Sequence, residues 1–166
     1  MSRGSWLPEE TFVAAIKALP LVSVDWVVVD PQNRLLLGLR RNAPARQWWF
    51  TPGGRVQKNE PMASALRRVA EAELGLSWEE AHAAQLMGVW DHCYEDSAFS
   101  SEVSTHYVNL PHFLRLDRPL NLSDLPLDQH LDWRWQDTSS AAEAEDVHPY
   151  VRVYAQWVVN WGQIPI

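Results

Sequence analysis

Apolar residues along the chain recur with two different periods. Leu21 to Val29 and Leu35 to Leu39 are β-branched or leucine-rich runs, and the Asp30-Pro31-Gln32-Asn33 between them has strong turn chemistry, so a hairpin is predicted. Gln85 to Cys93, Thr105 to Leu116 and Leu131 to Trp135 read as further strands, with polar links at Glu95 to Glu102 and Asn121 to Asp128. Three segments carry a helical period instead. Phe12, Ile16 and Leu19 follow Pro8-Glu9-Glu10 and stop before Pro20, while Glu60 to Leu74 and Tyr150 to Trp161 repeat apolar positions at three and four. With no internal repeat and no linker, this order of elements predicts a single α/β domain over residues 1–166, a mixed β-sheet sandwiched between α-helices.

Composition narrows the range of functions. The 166 residues are 46% hydrophobic and 21% charged, as expected for a folded globular chain. A net charge of -7 opposes general attraction to nucleic acid or to an anionic membrane, so any phosphate site has to be local. The single cysteine, Cys93, excludes an intrachain disulfide and the paired thiolates of a structural zinc site. Residues 1–7 lack the apolar core of a signal peptide, and no stretch approaches the roughly 20 apolar residues of a membrane span. A cytoplasmic protein is expected.

The most informative segment is Pro52-Gly53-Gly54-Arg55, followed by Asn59-Glu60-Pro61, the helix to Leu74, and Gly75. Glycines allow backbone to approach a ligand closely, and a proline at the start with a glycine past the end frames a loop, a helix and a loop. On that helix Met62, Leu66 and Val69 form the expected apolar stripe, and Glu73 returns to within about 20° of Met62. An inward carboxylate at a helix C-terminus is disfavoured by the dipole by ~0.3 to 1 kcal/mol, so a positive partner is expected. A divalent cation meets that need, as does an ion pair with Arg40, Arg55 or Arg68.

Gly54, Glu60, Arg68, Glu73, Gly75 and Leu76 stand in the register of the Nudix box, G-x5-E-x7-R-E-U-x-E-E-x-G-U, with U apolar. The segment therefore resembles that of the Nudix superfamily. Val69 and Ala72 stand where the box has glutamates. Clustered glutamates hold several ions around a pyrophosphate under attack at phosphorus, whereas Glu73 alone suits a single hard ion such as Mg2+.

Within the superfamily the chain resembles the GDP-mannose mannosyl hydrolase branch. The likeness is carried by Pro20-Leu21-Val22-Ser23-Val24-Asp25, Trp49 to Lys58, Gly88-Val89-Trp90-Asp91-His92, Thr105-His106-Tyr107-Val108 and Asp128 to Trp135. It implies a Nudix fold, a homodimer, and Mg2+-dependent hydrolysis of GDP-mannose, or GDP-glucose, to GDP and free sugar. One Mg2+ per site, with Mn2+ as a substitute, would be held by the Gly53 carbonyl, the Glu73 carboxylate and the Gln129 amide oxygen, all hard donors.

In the same resemblance His130 is the general base that activates water, a role that suits an imidazole near neutrality. Its alternative is an exposed loop histidine. Arg40, Arg55 and Tyr107 are implied contacts of the diphosphate and the two arginines stabilise its developing charge; His92 and Asp25 lie near the sugar, and Trp6, Leu7 and Phe12 near the nucleotide. Arg68 supports the site indirectly by orienting Glu73 or Glu60.

Metal-bound diphosphate is a good leaving group, so a base with cationic clamps suffices for single displacement at the anomeric carbon, with inversion. Two other readings stay open: a nucleotide-sugar or dinucleotide pyrophosphatase attacking phosphorus, and a catalytically idle nucleotide-sugar sensor. Of the ten tryptophans most are expected in the core, while Trp6, Trp48, Trp49, Trp90, Trp133 and Trp135 are candidates to stack on a guanine or sugar face or to pack a dimer interface. His106, His112 and His148 show no metal-ligand spacing.

Overall fold

The computed structural model describes residues 7–161. Helix α1 (Glu9–Ala18) begins directly after Pro8, with acidic Glu9 and Glu10 in its first turn and Lys17 in its last, the charge order the helix dipole favours. Phe12 and Ile16 are its buried face; Leu19, expected with them, lies past the helix end and is exposed.

Strand β1 (Leu21–Val29) runs through the middle of the sheet. It pairs in parallel along its whole length with β7 (Thr105–Arg115), from Leu21↔Tyr107 to Val29↔Arg115. The predicted hairpin is present, since β2 (Arg34–Arg40) turns back antiparallel, but the two strands meet at Val29↔Leu35 and then part. Into the gap comes β4 (Gly53–Arg55), antiparallel to β1 at Ser23, Val24 and Asp25. The short β3 (Trp49–Phe50) and β8 (His130–Asp137) both add antiparallel to β2.

Beyond β7 the predicted strand over Gln85 to Cys93 is two pieces, β5 (Gln85–Leu86) and β6 (Trp90–Tyr94), both antiparallel to β7. A non-strand link at Met87-Gly88-Val89 separates them. Among the described residues these strands form one mixed sheet, as expected.

The pleat of β1 and β2 shows why the sheet is covered on both faces. Val24, Trp26, Val28 and Leu36 enter one core, packed against Leu66, Val69, Ala70 and Leu74 of the glutamate-bearing helix. The alternate residues Val27, Val29, Leu35 and Leu37 enter the other, against Val151, Tyr154, Ala155 and Val158 of the last helix.

The helix after the glycine pair is α2 (Met62–Val69), followed by a π-helical turn at Ala70–Leu74. Gly75, at φ 64°, ends it in the left-handed conformation that glycine adopts without steric cost. The apolar stripe differs from expectation: Met62 is 37% exposed, and the buried face is Ala65, Leu66, Val69, Ala70 and Leu74. Leu66 and Val69 of the expected stripe are buried and Met62, in the first turn, is the one that is not; the π turn, which contains Glu73, departs from the ideal 3.6-residue wheel only beyond Val69. Short helices α3 (Trp78–Ala81) and α4 (Thr138–Glu143) precede α5 (Pro149–Trp161). No described helix is long and apolar enough to cross a membrane.

Candidate active site

Where β1 and β2 part, residues from several elements converge on two adjoining recesses. The outer cleft, about 420 Å³, gathers Arg40 from the end of β2, Gly53 and Arg55 from β4, Glu73 from the π turn, and Gln129 from just before β8. Leu7 and Phe12 line its apolar part together with Phe99, whose ring meets Phe12 edge-on at 5.4 Å. A smaller chamber of about 100 Å³ shares Arg40, Gly53, Arg55 and Tyr107 with the cleft and adds Asp25, His92, Tyr94 and Asn109. The structure thus brings together every predicted site residue it describes, apart from His130, which lies behind Glu73, and Glu60, which acts through Arg68. Trp6 lies outside the described residues.

Charge at the cleft is cationic although the chain is acidic. Among the described residues neither Arg40 nor Arg55 forms a salt bridge, so both guanidinium groups are available to an anion. Arg68 is different. Its Nε donates to Glu60 Oε1 at 2.7 Å and its Nη2 to Glu60 Oε2 at 2.9 Å, a bidentate pair, and Nη2 also donates to the Arg55 carbonyl at 2.9 Å. Glu60 in turn accepts from the Gln57 amide. The Arg68 guanidinium holds the Glu60 carboxyl below its ordinary range. Arg68 therefore ties the loop to the helix through Glu60 and does not contact Glu73.

Among the described residues Glu73 forms no arginine ion pair. Its Oε2 is buried, has no hydrogen-bond partner among them, and lies 3.4 Å from His130 Nε2. Gly53, Glu73 and Gln129 line one cleft and offer a carbonyl, a carboxylate and an amide, three oxygen donor types suited to a hard divalent ion. The orphaned carboxylate oxygen is the group such an ion would satisfy. The residues present fit the metal. Val69, at one missing glutamate position, is 2% exposed and packed in the core, and Ala72, at the other, lines the cleft with a methyl group. Among the described residues no cluster of three or more His, Cys, Asp or Glu is placed to bind a metal, so a multi-carboxylate centre is absent there.

Both glycines are required by close approach. A Cβ on Gly53 would collide with Asp25 Oδ1 and meet the Val24 carbonyl oxygen at 2.6 Å, and one on Gly54 would lie 3.0 Å from Val69 Cγ2. Gly38 plays the same part beneath His130, since a Cβ there would run into the imidazole. His130 is not the exposed loop histidine of the alternative reading: it opens β8, is 1% exposed, and packs on Trp133 at 4.3 Å between ring centroids. Among the described residues neither ring nitrogen has a hydrogen bond, and Nε2 faces the Glu73 carboxylate. Trp133, 5% exposed, is core and donates its indole N–H to the Pro126 carbonyl.

The small chamber has unusual acid-base character. Burial raises Asp25 to about 7, against opposing contributions from Tyr154, Asn109 and Arg40. Burial lowers His92 to about 4, and raises Tyr94 and Tyr107 so that both stay phenols. Periodicity carried a missed signal here. Asn109 shares the strand face of Tyr107, and Ser23 that of Asp25, and Asn109 Nδ2 donates to Ser23 Oγ at 2.9 Å. Tyr154 and Phe99 had no local signal, because what places them is contact with distant segments.

His148, at the start of α5, accepts from the Tyr150 amide and is lowered to about 4 by burial and then by Arg152. Its folded value is below its unfolded value of 6.5, so its stabilising contribution is complete above about pH 6.5 and is lost as pH falls toward 4. His92 acts in the same direction, whereas Asp25, raised, loses its contribution as pH rises from about 4 to about 7. Thermal melts of His148→Asn and the parent chain are therefore expected to converge, or cross, on acidification from pH 7 to 4.5, because the parent alone carries the cost of keeping this imidazole neutral. A constant difference between the two melts would contradict the assignment.

The comparisons with known proteins agree with this architecture. The family model described as NUDIX domain matches residues 19–157. The Low-salt glycan biosynthesis protein Agl8 of Haloferax volcanii is 34% identical over 151 residues, covering 89% of this chain and 88% of that protein. Among solved structures, a MutT NUDIX hydrolase from Burkholderia pseudomallei superimposes with a TM-score of 0.64 at 26% identity, over 84% of this chain and 98% of its own. The NUDIX domain of Shewanella oneidensis NrtR, solved with ADP ribose, shares the fold at a TM-score of 0.57 and 12% identity, over 93% and 98% of the two chains. From the start of β1 to the last helix, then, this chain belongs to the NUDIX domain family, whose hydrolases act on nucleotide derivatives with divalent metal ions such as Mg2+.

Proposed function

We propose that the protein hydrolyses a GDP-sugar, GDP-mannose in the first place, to GDP and free sugar by attack of water at the anomeric carbon, with one Mg2+ bound. The observation that carries this reading is the single helix carboxylate at the cleft: Glu73 is present, while Val69 is buried in the core and Ala72 offers no ligand. Attack at phosphorus uses more metal charge than one carboxylate gathers. Two unpaired arginines beside that carboxylate suit a diphosphate that leaves intact. The glycan-biosynthesis name of the Haloferax relative supports a sugar in the substrate, and the sequence resemblance supports guanosine diphosphate as its carrier.

In this reading Gly53, Glu73 and Gln129 would hold Mg2+, which would withdraw negative charge from the diphosphate. Arg40, Arg55 and Tyr107 clamp the diphosphate oxygens. Asp25 and His92 face the sugar from the small chamber, while Leu7 and Phe12 supply apolar surface for the nucleoside. The C1–O bond to the diphosphate breaks with its electron pair on oxygen, water forms the new bond on the opposite face, and its proton is taken up at the Glu73–His130 pair, where the carboxylate faces the cleft and the imidazole behind it, Nε2 3.4 Å from Oε2, is the final acceptor. An α-linked donor then yields the β-sugar.

The products test the reading. Incubation with GDP-mannose and Mg2+ should release GDP and mannose, whereas GMP and mannose 1-phosphate would identify a pyrophosphatase. Arg55→Met should raise KM for the GDP-sugar by about 10- to 100-fold, the loss of one charge-assisted hydrogen-bonding partner. An unchanged KM would place the diphosphate elsewhere.

A further inference from the structure

α5 reaches into the site from outside the glycine-rich loop and its helix. Tyr150 and Tyr154 are one turn apart and grip consecutive residues of β6. The Tyr150 ring stacks on His92 with centroids 4.1 Å apart and planes at 4°, and its hydroxyl accepts from the Cys93 amide and donates to the Cys93 carbonyl, each at 2.9 Å. The Tyr154 hydroxyl lies 2.9 Å from Asp25 Oδ2, 2.7 Å from Asn109 Oδ1 and 3.0 Å from His92 Nε2. Tyr154 itself is 1% exposed.

A phenol has one proton to donate and two lone pairs to accept with. Two of its three neighbours here are oxygens, and the proton goes to one of these. The nitrogen contact is then satisfied when His92 donates to the phenol oxygen. We infer that Tyr154 is a positioning residue of the small chamber: its hydroxyl holds Asp25 and Asn109 in place and fixes His92 as the tautomer with its proton on Nε2. The hub joins β1, β6, β7 and α5, so the orientation of the chamber's polar groups depends on a helix that contributes nothing to the diphosphate clamp. Its catalytic part rests on the reading of the chamber as the sugar end of a GDP-sugar site.

The test is Tyr154→Phe, which removes one oxygen and keeps the ring. With GDP-mannose, kcat is expected to fall by about 10- to 100-fold while KM and the affinity for GDP stay within about threefold, because orientation at the sugar is lost and the diphosphate clamp is not. Histidine 15N NMR of the substrate-free protein should show His92 protonated on Nε2, with that preference weakened in the variant. A folded variant with kcat within about twofold of the parent, or a parent His92 protonated on Nδ1, overturns the inference. Should the variant not fold, the parent spectrum decides by the same criterion. A parent that binds but does not hydrolyse GDP-mannose refutes the proposed function and leaves the tautomer measurement to judge the hub.

Discussion

Glu73→Gln is expected to lower Mg2+-dependent turnover by about 10³-fold, or about 4 kcal/mol of transition-state stabilisation, and to weaken Mg2+ binding in parallel. The substitution keeps the size of the side chain and removes the one carboxylate that the helix presents to the cleft. Glu73 Oε2 has no hydrogen-bond partner among the described residues, so no such bond is lost. The metal-free variant should therefore melt close to the metal-free parent, because the amide keeps the shape of the side chain. Activity lost while stability is kept is the signature of a site group. A fall in both would instead make Glu73 a structural partner of His130. Titration calorimetry with Mg2+, followed by melts with and without the ion, separates the two.

His130→Gln should lower turnover by about 10²- to 10³-fold while leaving Mg2+ affinity close to that of the parent. Glutamine retains polarity and much of the volume of a ring that packs on Gly38 and Trp133. The position next to Gln129 explains why two neighbours do different work. Successive residues entering a strand point to opposite sides, so Gln129 lines the cleft while His130 is buried behind Glu73. A base in that position receives its proton through the carboxylate in front of it, with Nε2 3.4 Å from Oε2. Turnover unchanged in a folded variant would assign His130 to the core alone.

Legibility in the sequence followed the range of the physics involved. Long elements with a clear period, β1, β2, β7 and α5, lay close to where their apolar residues predicted. Strands β3 and β4, two and three residues long, have no period to read; their pairing with β2 and β1 makes them strands. Helix α3 did carry a local signal, since Ser77 and Glu80 form a reciprocal capping box. Helix α4 had one too, with the Asp137 side chain accepting from the Ser140 amide.

At the site, the glycine pair, Glu73 and the arginines could be picked out because chemistry and spacing coincide in one segment. The state of each charge could not. Arg68 and Arg55 look alike in the sequence, yet one is neutralised by Glu60 and the other is unpaired. Tyr154 lies 129 positions from the Asp25 carboxylate it touches, a relation that only the packed α5 creates.

Attack at carbon is the central claim, and the position of one oxygen atom decides it. Hydrolysis of GDP-mannose with Mg2+ in 18O-labelled water, followed by mass analysis of both products, should place the label in mannose and leave GDP unlabelled. Label in GDP, in GMP or in mannose 1-phosphate would mean attack at phosphorus, and would contradict the account.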